Sequence, residues 1–515
     1  MDAKSDNSKN SPLMNIHILG RIILFCFLVF YSPNSILISQ NFYIDYSSDA
    51  RIIYKDIIDL KLDSVPFKIS EFKKAEPFNL ASLHLENYLD FFTIFINEDE
   101  VSFRQRSKKK DERLKIIEKN IEDSSPYKRF VQAEIHLQWA LTRSKFNQLF
   151  KAGREVYKAY NLLTENQAIF PDFIYNKKSL SILHSLIETI TIANVFKSIL
   201  GLDGSIDLAI VEIGEVIEYG KQNDFIFKEE ADAIKALILF YQANEKNEAW
   251  SFIQESSLNV DESLLSVFLI AKLAQRIGEN EEAIHILKEK PTSLAYSEFA
   301  YLDYQMGLSL LRKLDPACKK YLLQFVHTFE GKHFIKDAYQ KLAWASIIFD
   351  NDSMSYQQYM SKVQSEGDYL VDGDKQALLE SEGSIIPNVI LLKSRLLFDG
   401  GYYENAFKML DENRNAISVN KQLFAEYNYR QGRILQRLNR IDEARKHFDF
   451  LIQNHSDDKE FYACNSALQM GLIEEKLEHY NQAKVYFEKC LAIKPKSYKR
   501  SLHQKATTGL ERILK

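Results

Sequence analysis

Apolar residues recur three and four positions apart along almost the whole chain, the spacing of helices that each bury one face. Over 45–63 the recurrence runs through Ile52, Ile53, Ile57, Ile58 and Leu60. Leu80 to Ile96 is strongly apolar, with Tyr88, Leu89, Phe91, Phe92, Ile94 and Phe95. Asp123-Ser-Ser-Pro126 is a helix start signal. It opens a pair predicted over Tyr127–Arg143 and Ser144–Leu163. Pro171 marks a break, and Leu180–Leu200 follows as a long apolar helix that ends around Gly201 to Gly204. Ile206–Tyr219 and Glu229–Asn244 make a further pair. Ala152, Ala209 and Ala249 stand where small residues would let paired helices approach.

From Asp261 onward small and bulky residues repeat in register. Ala271 and Ala283 mark one unit, and Gly307 begins another whose turn is Leu314-Asp315-Pro316. Leu342-Ala343 marks a weaker unit, before an acidic stretch over 350–386 that reads as an irregular insert. Three units follow: Ser394, Ala406 and Leu410; then Gly432, Ala444 and Phe448; then Gly471, Ala483, Phe487 and Pro495. Glycine and alanine let two antiparallel helices approach, phenylalanine fills the space between pairs, and proline ends the second helix because it lacks an N–H. These are the landmarks of the tetratricopeptide repeat, so 261–495 is identified with that superfamily. Ala406, Ala444 and Ala483 recur at nearly equal intervals, longer than the usual repeat of about 34 residues. Glu474 and Leu435 depart from the usual tyrosine, and Asn428 from the usual tryptophan.

The expected fold is therefore all-α, an α-solenoid of antiparallel helix pairs. One pair cannot bury its own apolar face, so pairs must stack. The expected divisions are 1–39, 40–125 as an N-terminal helical region, 126–260 as degenerate repeats, 261–495 as the clear array, and 496–515 as a capping helix. On that last helix Leu502, Ala506, Leu510 and Ile513 share one face. At 515 residues with only 17 Gly and 10 Pro, the composition also favours long helices joined by short loops.

Arg21, the apolar run Ile22–Tyr31 and the small Ser39 describe a secretory signal peptide with cleavage before Gln40. The rival is an uncleaved anchor over Ile22–Ile38, interrupted by Pro33 and Asn34. The segments Phe91–Asp99, Gln132–Ala140, Phe170–Phe173, Leu397–Tyr403 and Ala467–Lys476 resemble stretches of large exported repeat proteins of Gram-negative bacteria. That resemblance implies an all-helical protein of the periplasm or cell envelope, with no catalytic residues to carry over.

A net charge of −5 argues against general nucleic-acid binding, which needs a basic excess. The basic run Arg104–Lys110 reads as a solvated helix face or a phosphate-binding patch. No phosphate-binding glycine loop, dinucleotide fingerprint, nucleophile elbow or HExxH is present. His327 and His333, and His447 and His455, are too far apart for the usual helical zinc pair. Asp372 and Asp374 lack the glycine that a calcium loop requires. No cofactor, metal, small-molecule substrate or nucleic acid is therefore expected. Cys464 and Cys490 fall at opposite ends of two antiparallel helices, which brings them near each other as free thiols or as a disulfide.

One constellation remains. The first helices of a repeat array line its concave face, and residues four apart form stripes on them. The register gives Phe268-Lys272-Arg276, Tyr304-Leu308-Arg312, Leu391-Arg395-Asp399, Tyr429-Arg433-Arg437 and Leu468-Leu472-Lys476. Aromatic or apolar residues lie at one end and basic residues at the other. Such a groove suits an acidic or carboxylate-ended extended peptide; the competing reading is a solvated face. The functional expectation is a non-enzymatic protein–protein interaction scaffold. The alternatives are a membrane-anchored sensor and an enzyme with a catalytic part in 45–128.

Overall fold

The computed structural model describes residues 41–189, 204–383 and 386–514. The signal-peptide reading of 1–39 and the distal part of the helix read over Leu180–Leu200 lie outside them. Among the described residues every regular element is helical, apart from an isolated bridge between Tyr43 and Asn79.

Four helices come first: α1 (Ser48–Ile58), α2 (Val65–Ala75), α3 (Ala81–Asn97) and α4 (Glu100–Asn120). Antiparallel pairs follow. They are α5 (Pro126–Lys145) with α6 (Leu149–Ile169), α7 (Tyr175–Thr189) with α8 (Ile206–Gln222), and α9 (Lys228–Leu237) with α10 (Lys246–Glu255). Next are α11 (Leu264–Ile277) with α12 (Asn280–Glu289), α13 (Tyr301–Arg312) with α14 (Cys318–Thr328), and α15 (Ile335–Ala345) with α16 (Ser353–Ser365). The described residues of 350–386 are thus not irregular throughout, since they hold α16 and α17 (Asp372–Ser381). Asp352 starts α16 by accepting from the Met354 and Ser355 amides. Asp374 ties α17 to α15 by accepting from the Phe334 and Asp337 amides.

The last pairs are α18 (Val389–Asp399) with α19 (Tyr403–Glu412), then, after the short α20 (Arg414–Ser418), α21 (Lys421–Arg437) with α22 (Ile441–Asn454), and α23 (Tyr462–Lys476) with α24 (Tyr480–Ala492). Helix α25 (Lys499–Ile513) packs on both α23 and α24.

The turn within most pairs uses one residue with positive φ. Asn147, Asn244, Gly278, Leu314, Asn351, Gly401, Asn439 and Glu478 occupy that place in successive pairs. Asparagine and glycine enter this region readily. Leu314 and Glu478 do so against a steric cost of about 1–2 kcal/mol.

The landmark residues explain how closely the pairs pack. A Cβ on Gly307 would lie 2.7 Å from Leu322 Cγ, and one on Gly432 would lie 2.5 Å from a Phe448 ring carbon. A Cβ on Gly471 would meet the Phe487 ring at 2.5 Å, and one on Gly509 would meet the same ring from the α25 side. Ala283, Ala406, Ala444, Ala483, Phe448 and Phe487 are buried. Pro495 lies in the link that follows α24.

Burial divides the molecule. One continuous apolar core runs from Ile44 to Leu396. Beyond it the core breaks into smaller clusters around Leu410, Phe448 and Phe487. The last repeats are therefore modular, each resting on its neighbours, whereas the front of the chain shares one interior.

Candidate functional site

Helix α3 decides where a groove is open. All its residues are buried except Glu86, Thr93 and Asn97. It lies across the first helices of the front pairs, which reach it with polar side chains. Tyr88 Oη lies within hydrogen-bond distance of both Glu134 Oε2, at 3.1 Å, and Glu230 Oε2, at 3.4 Å. Lys178 Nζ, with no exposed side-chain surface, lies 2.7 Å from both Glu134 and Glu230. Ser179 Oγ donates to Glu134. Burial works to raise the Glu134 carboxyl, but Lys178, His84 and Ser179 together hold it below the usual range. Burial dominates at Glu230, which is pushed well above the usual value. The front groove is thus occupied by the chain's own helix, locked by an internal ion pair.

A second clasp closes the C-terminal end of α3. Glu98, in a left-handed conformation, takes Lys145 Nζ at 2.6 Å, His333 Nδ1 at 3.1 Å and the Tyr301 hydroxyl. Burial would raise the Glu98 carboxyl, but Lys145 and His333 together hold it well below the usual range. Beside it lies a cavity of about 70 Å³, lined by Glu98, Lys145, Lys332, His333 and Asp368 among others. Its volume suits a few waters.

This filled front changes the predicted stripes. Phe268 and Tyr304 do not line a groove. Phe268 is buried against Phe299 and Tyr301. Tyr304 is buried with its hydroxyl 2.6 Å from Asp337 Oδ2 and its ring against Phe325 and Phe334. Both faces of these helices are covered, so a stripe of residues four apart points into the core. Lys272 is half-buried with Nζ over the Phe268 ring.

The arginines at the other end do converge. Arg312 Nη1 donates to the Gln275 carbonyl at 3.0 Å, and Arg437 Nη2 donates to the Ile277 carbonyl at 3.3 Å. Both act on the final turn of α11, whose carbonyls have no partner within the helix. Arg437 also donates to the Tyr403 hydroxyl at 2.7 Å. Gly401 packs against Gly278 in the same place, where any Cβ would fall 1.9 Å from the Gly278 oxygen. Arg312 and Arg437 therefore join distant repeats rather than standing free.

Further along, the face is more open. Arg395 is exposed, 3.8 Å from Asp399, with its guanidinium over the Trp344 ring. Arg433 is half-buried over Phe398 and donates to the Tyr429 hydroxyl. Asn465 donates to that same hydroxyl at 2.8 Å. Tyr429 packs against Phe461 and Tyr462, and Arg276 and Lys476 are exposed.

The other candidates take structural places. In the basic run, Arg106 pairs with Asp90, and Lys110 is buried against Glu155. His447 hydrogen-bonds Asn428, and His455 pairs with Asp458. Among the described residues, no group of three or more His, Cys, Asp and Glu is arranged to hold a metal ion. No described helix is long and apolar enough to cross a membrane.

Stacked antiparallel helix pairs with glycine and alanine contacts define a protein of the α-solenoid class. Residues 465–497, which cover most of α23, all of α24 and the link beyond it, match the family model of the tetratricopeptide repeat. A search of the curated proteins finds no match. Among solved structures the chain is similar to the APC/C hetero-tetramer Cut9–Hcn1, at 11% identity and a TM-score of 0.28, over 91% of this chain and 97% of that one. It is also similar to yeast Tom70, at 13% identity and a TM-score of 0.24, over 91% of this chain and 88% of that one. At such scores neither likeness bears on function.

Proposed function

We propose that this chain is a non-enzymatic protein–protein interaction scaffold that holds an acidic, extended segment of a partner protein along α18, α21 and α23. The observation that carries this is the unequal filling of the groove. The front is taken by α3, while the face from Arg395 to Lys476 keeps exposed Arg395 over Trp344, half-buried Arg433 over Phe398 and exposed Lys476. Arginine forks pair with carboxylates, and the rings supply apolar contact for the peptide between them.

The test uses labelled acidic and basic peptides of equal length. Arg395→Glu and Lys476→Glu are combined, because these side chains lie on α18 and α23, are exposed and do not cap α11. Each exposed pair contributes about 0.2–1 kcal/mol. The two reversals together, about 0.4–2 kcal/mol, lower acidic-peptide affinity about two- to thirtyfold. The difference shrinks toward 1 M salt, where screening acts within about 3 Å. Equal binding by wild type and variant at low salt sinks the proposal.

We also propose that the scaffold works in the periplasm or cell envelope of a bacterium. Arg21, the apolar run Ile22–Tyr31 and Ser39 support this, as does the resemblance to exported repeat proteins. Sequencing the N-terminus of the native protein after fractionation tests it. A start near Gln40 in the envelope fraction is expected. An intact run in the membrane fraction indicates the anchored form, and an intact run in the cytosol refutes export.

A further inference from the structure

Cys464 opens α23 and Cys490 closes α24, so the antiparallel pairing brings the two ends of the last repeat together. Their Sγ atoms lie 3.7 Å apart, and both residues are fully buried in the cluster around Phe487. Cys464 Sγ also lies 3.4 Å from the Cys490 carbonyl, and Cys490 Sγ lies 3.9 Å from the carbonyl of Leu502 on α25. Cys318 is buried on α14, in a different repeat.

We propose that Cys464 and Cys490 are a disulfide-forming site that locks the last repeat when a disulfide donor is present. Sulfurs in contact need only side-chain rotation and a small helix shift to reach the bonding distance of about 2.0 Å. The Cys464 thiolate attacks one sulfur of the donor disulfide and forms a mixed disulfide, releasing one donor thiol. The Cys490 thiolate then attacks Cys464 Sγ, forms the Cys464–Cys490 bond and expels the second donor thiol. The pair loses two electrons and two protons, and the donor disulfide gains them as two thiols. A hydrogen bond from Cys490 holds Cys464 below the usual thiol value, which suits Cys464 as the first attacker. Burial pushes the Cys318 thiol up to about 12, which suits it to stay reduced.

Access requires α25 to lift, because Leu502 and Ala506 belong to the cluster that covers both sulfurs. Helix α25 opens at low cost, since it packs chiefly on the one pair α23 and α24, and its tie to α17, from Tyr498 to Gln376, is exposed. The bond then ties the start of α23 to the end of α24. It removes freedom from the opened state and slows further opening of the end. This inference rests on the thiol geometry and holds in any compartment that supplies a disulfide donor.

The experiment incubates the full chain with oxidised glutathione, removes the donor, unfolds the chain and alkylates free thiols. Peptide mapping is expected to give one crosslinked product joining Cys464 and Cys490, with Cys318 alkylated. Hydrogen exchange over 462–513 is expected to slow by tenfold or more in the oxidised chain and to recover with dithiothreitol. Cys490→Ala should leave Cys464 as a mixed disulfide with glutathione and abolish the slowing. Two free thiols at Cys464 and Cys490, in a chain whose α25 exchanges during the incubation, overturn the proposal. So does a glutathione adduct on wild-type Cys464 that never resolves to the internal bond.

Discussion

Lys178→Met tests whether α3 is locked into the front groove by its internal ion pair. Lys178 Nζ stands 2.7 Å from Glu134 and 2.7 Å from Glu230, and none of the three side chains is exposed. Methionine keeps most of the volume and removes the charge. Glu134 then has no cation beside it, and its carboxyl must take up a proton or remain buried as an unpaired charge. Breaking a buried pair by removing one member costs about 3–5 kcal/mol. Urea denaturation reads that loss as a lower midpoint. Hydrogen exchange locates it, with protection over 41–97 falling before protection over 462–513. Adding Glu134→Gln should recover much of the loss, because burial already pushes the remaining Glu230 carboxyl well above its usual value. If Lys178→Met stays within about 1 kcal/mol of wild type, below that range, and the exchange of α3 is unchanged, the ion pair does not hold the helix and the account of the filled groove fails.

Gly471→Leu should cost about 1–3 kcal/mol, the range for overpacking, and raise exchange first over 462–513. The Phe487 ring cannot retreat from the added bulk because Gly509 backs it from the other side. Unchanged exchange there would show that the last pair does not depend on this contact. The contribution of His84 to stability should fall as pH drops below about 6.5, the usual histidine value. Buried His84 titrates at about 3 when folded, chiefly through desolvation, so between these values the unfolded chain binds the extra proton. His84 therefore contributes a slope of about 1.4 kcal/mol per pH unit in that window. Glu155, held at about 2 by His136 and Lys110 against its own burial, adds a further loss below its unfolded value. Urea midpoints of wild type and His84→Gln from pH 7 to 4 measure this, because Glu230, raised by burial, acts with the opposite sign in the same window; equal pH slopes for the two proteins would contradict the buried neutral His84.

The helical fold was legible because the turn chemistry and the small-residue contacts both leave marks in the sequence. Gly307, Gly432 and Gly471 each face a bulky side chain that leaves no room for a Cβ, so the register is strictly enforced there. Gly509 performs the same task on α25, and its spacing from Ala506 offered a signal that the capping-helix pattern did not use. The stretch 350–386 was misread because its acidic surface hides a short period. Tyr356, Met360 and Val363 form the buried face of α16, while Asp374 is spent on backbone amides instead of solvent. Polar composition alone describes exposure, and a carboxylate that caps a neighbouring helix is invisible to it.

The site was only half legible, and the reason lies in α3. Residues four apart on a first helix point into a groove only where nothing else in the chain covers that face. The strongly apolar stretch Leu80–Ile96 already implied a helix buried nearly all round, since such a helix cannot face water. What the sequence did not show was which surface it would cover. Glu134, Lys178 and Glu230 come from the first helices of three successive pairs and converge on Tyr88, so α3 takes the place that a partner peptide would need. A partner seated in the front groove would have to expel a helix held by a buried lysine and two glutamates. A partner on α18, α21 and α23 meets exposed Arg395 and Lys476, and the contact across that end is an exposed hydrogen bond from Tyr498 to Gln376 rather than a buried ion pair. Binding at that face and unlocking of α3 are therefore separable. A peptide that protects 389–476 from exchange while leaving 81–97 unchanged would place the partner on the C-terminal face. Loss of protection at α3 on binding would mean that the front groove is the receptor and α3 its displaced occupant.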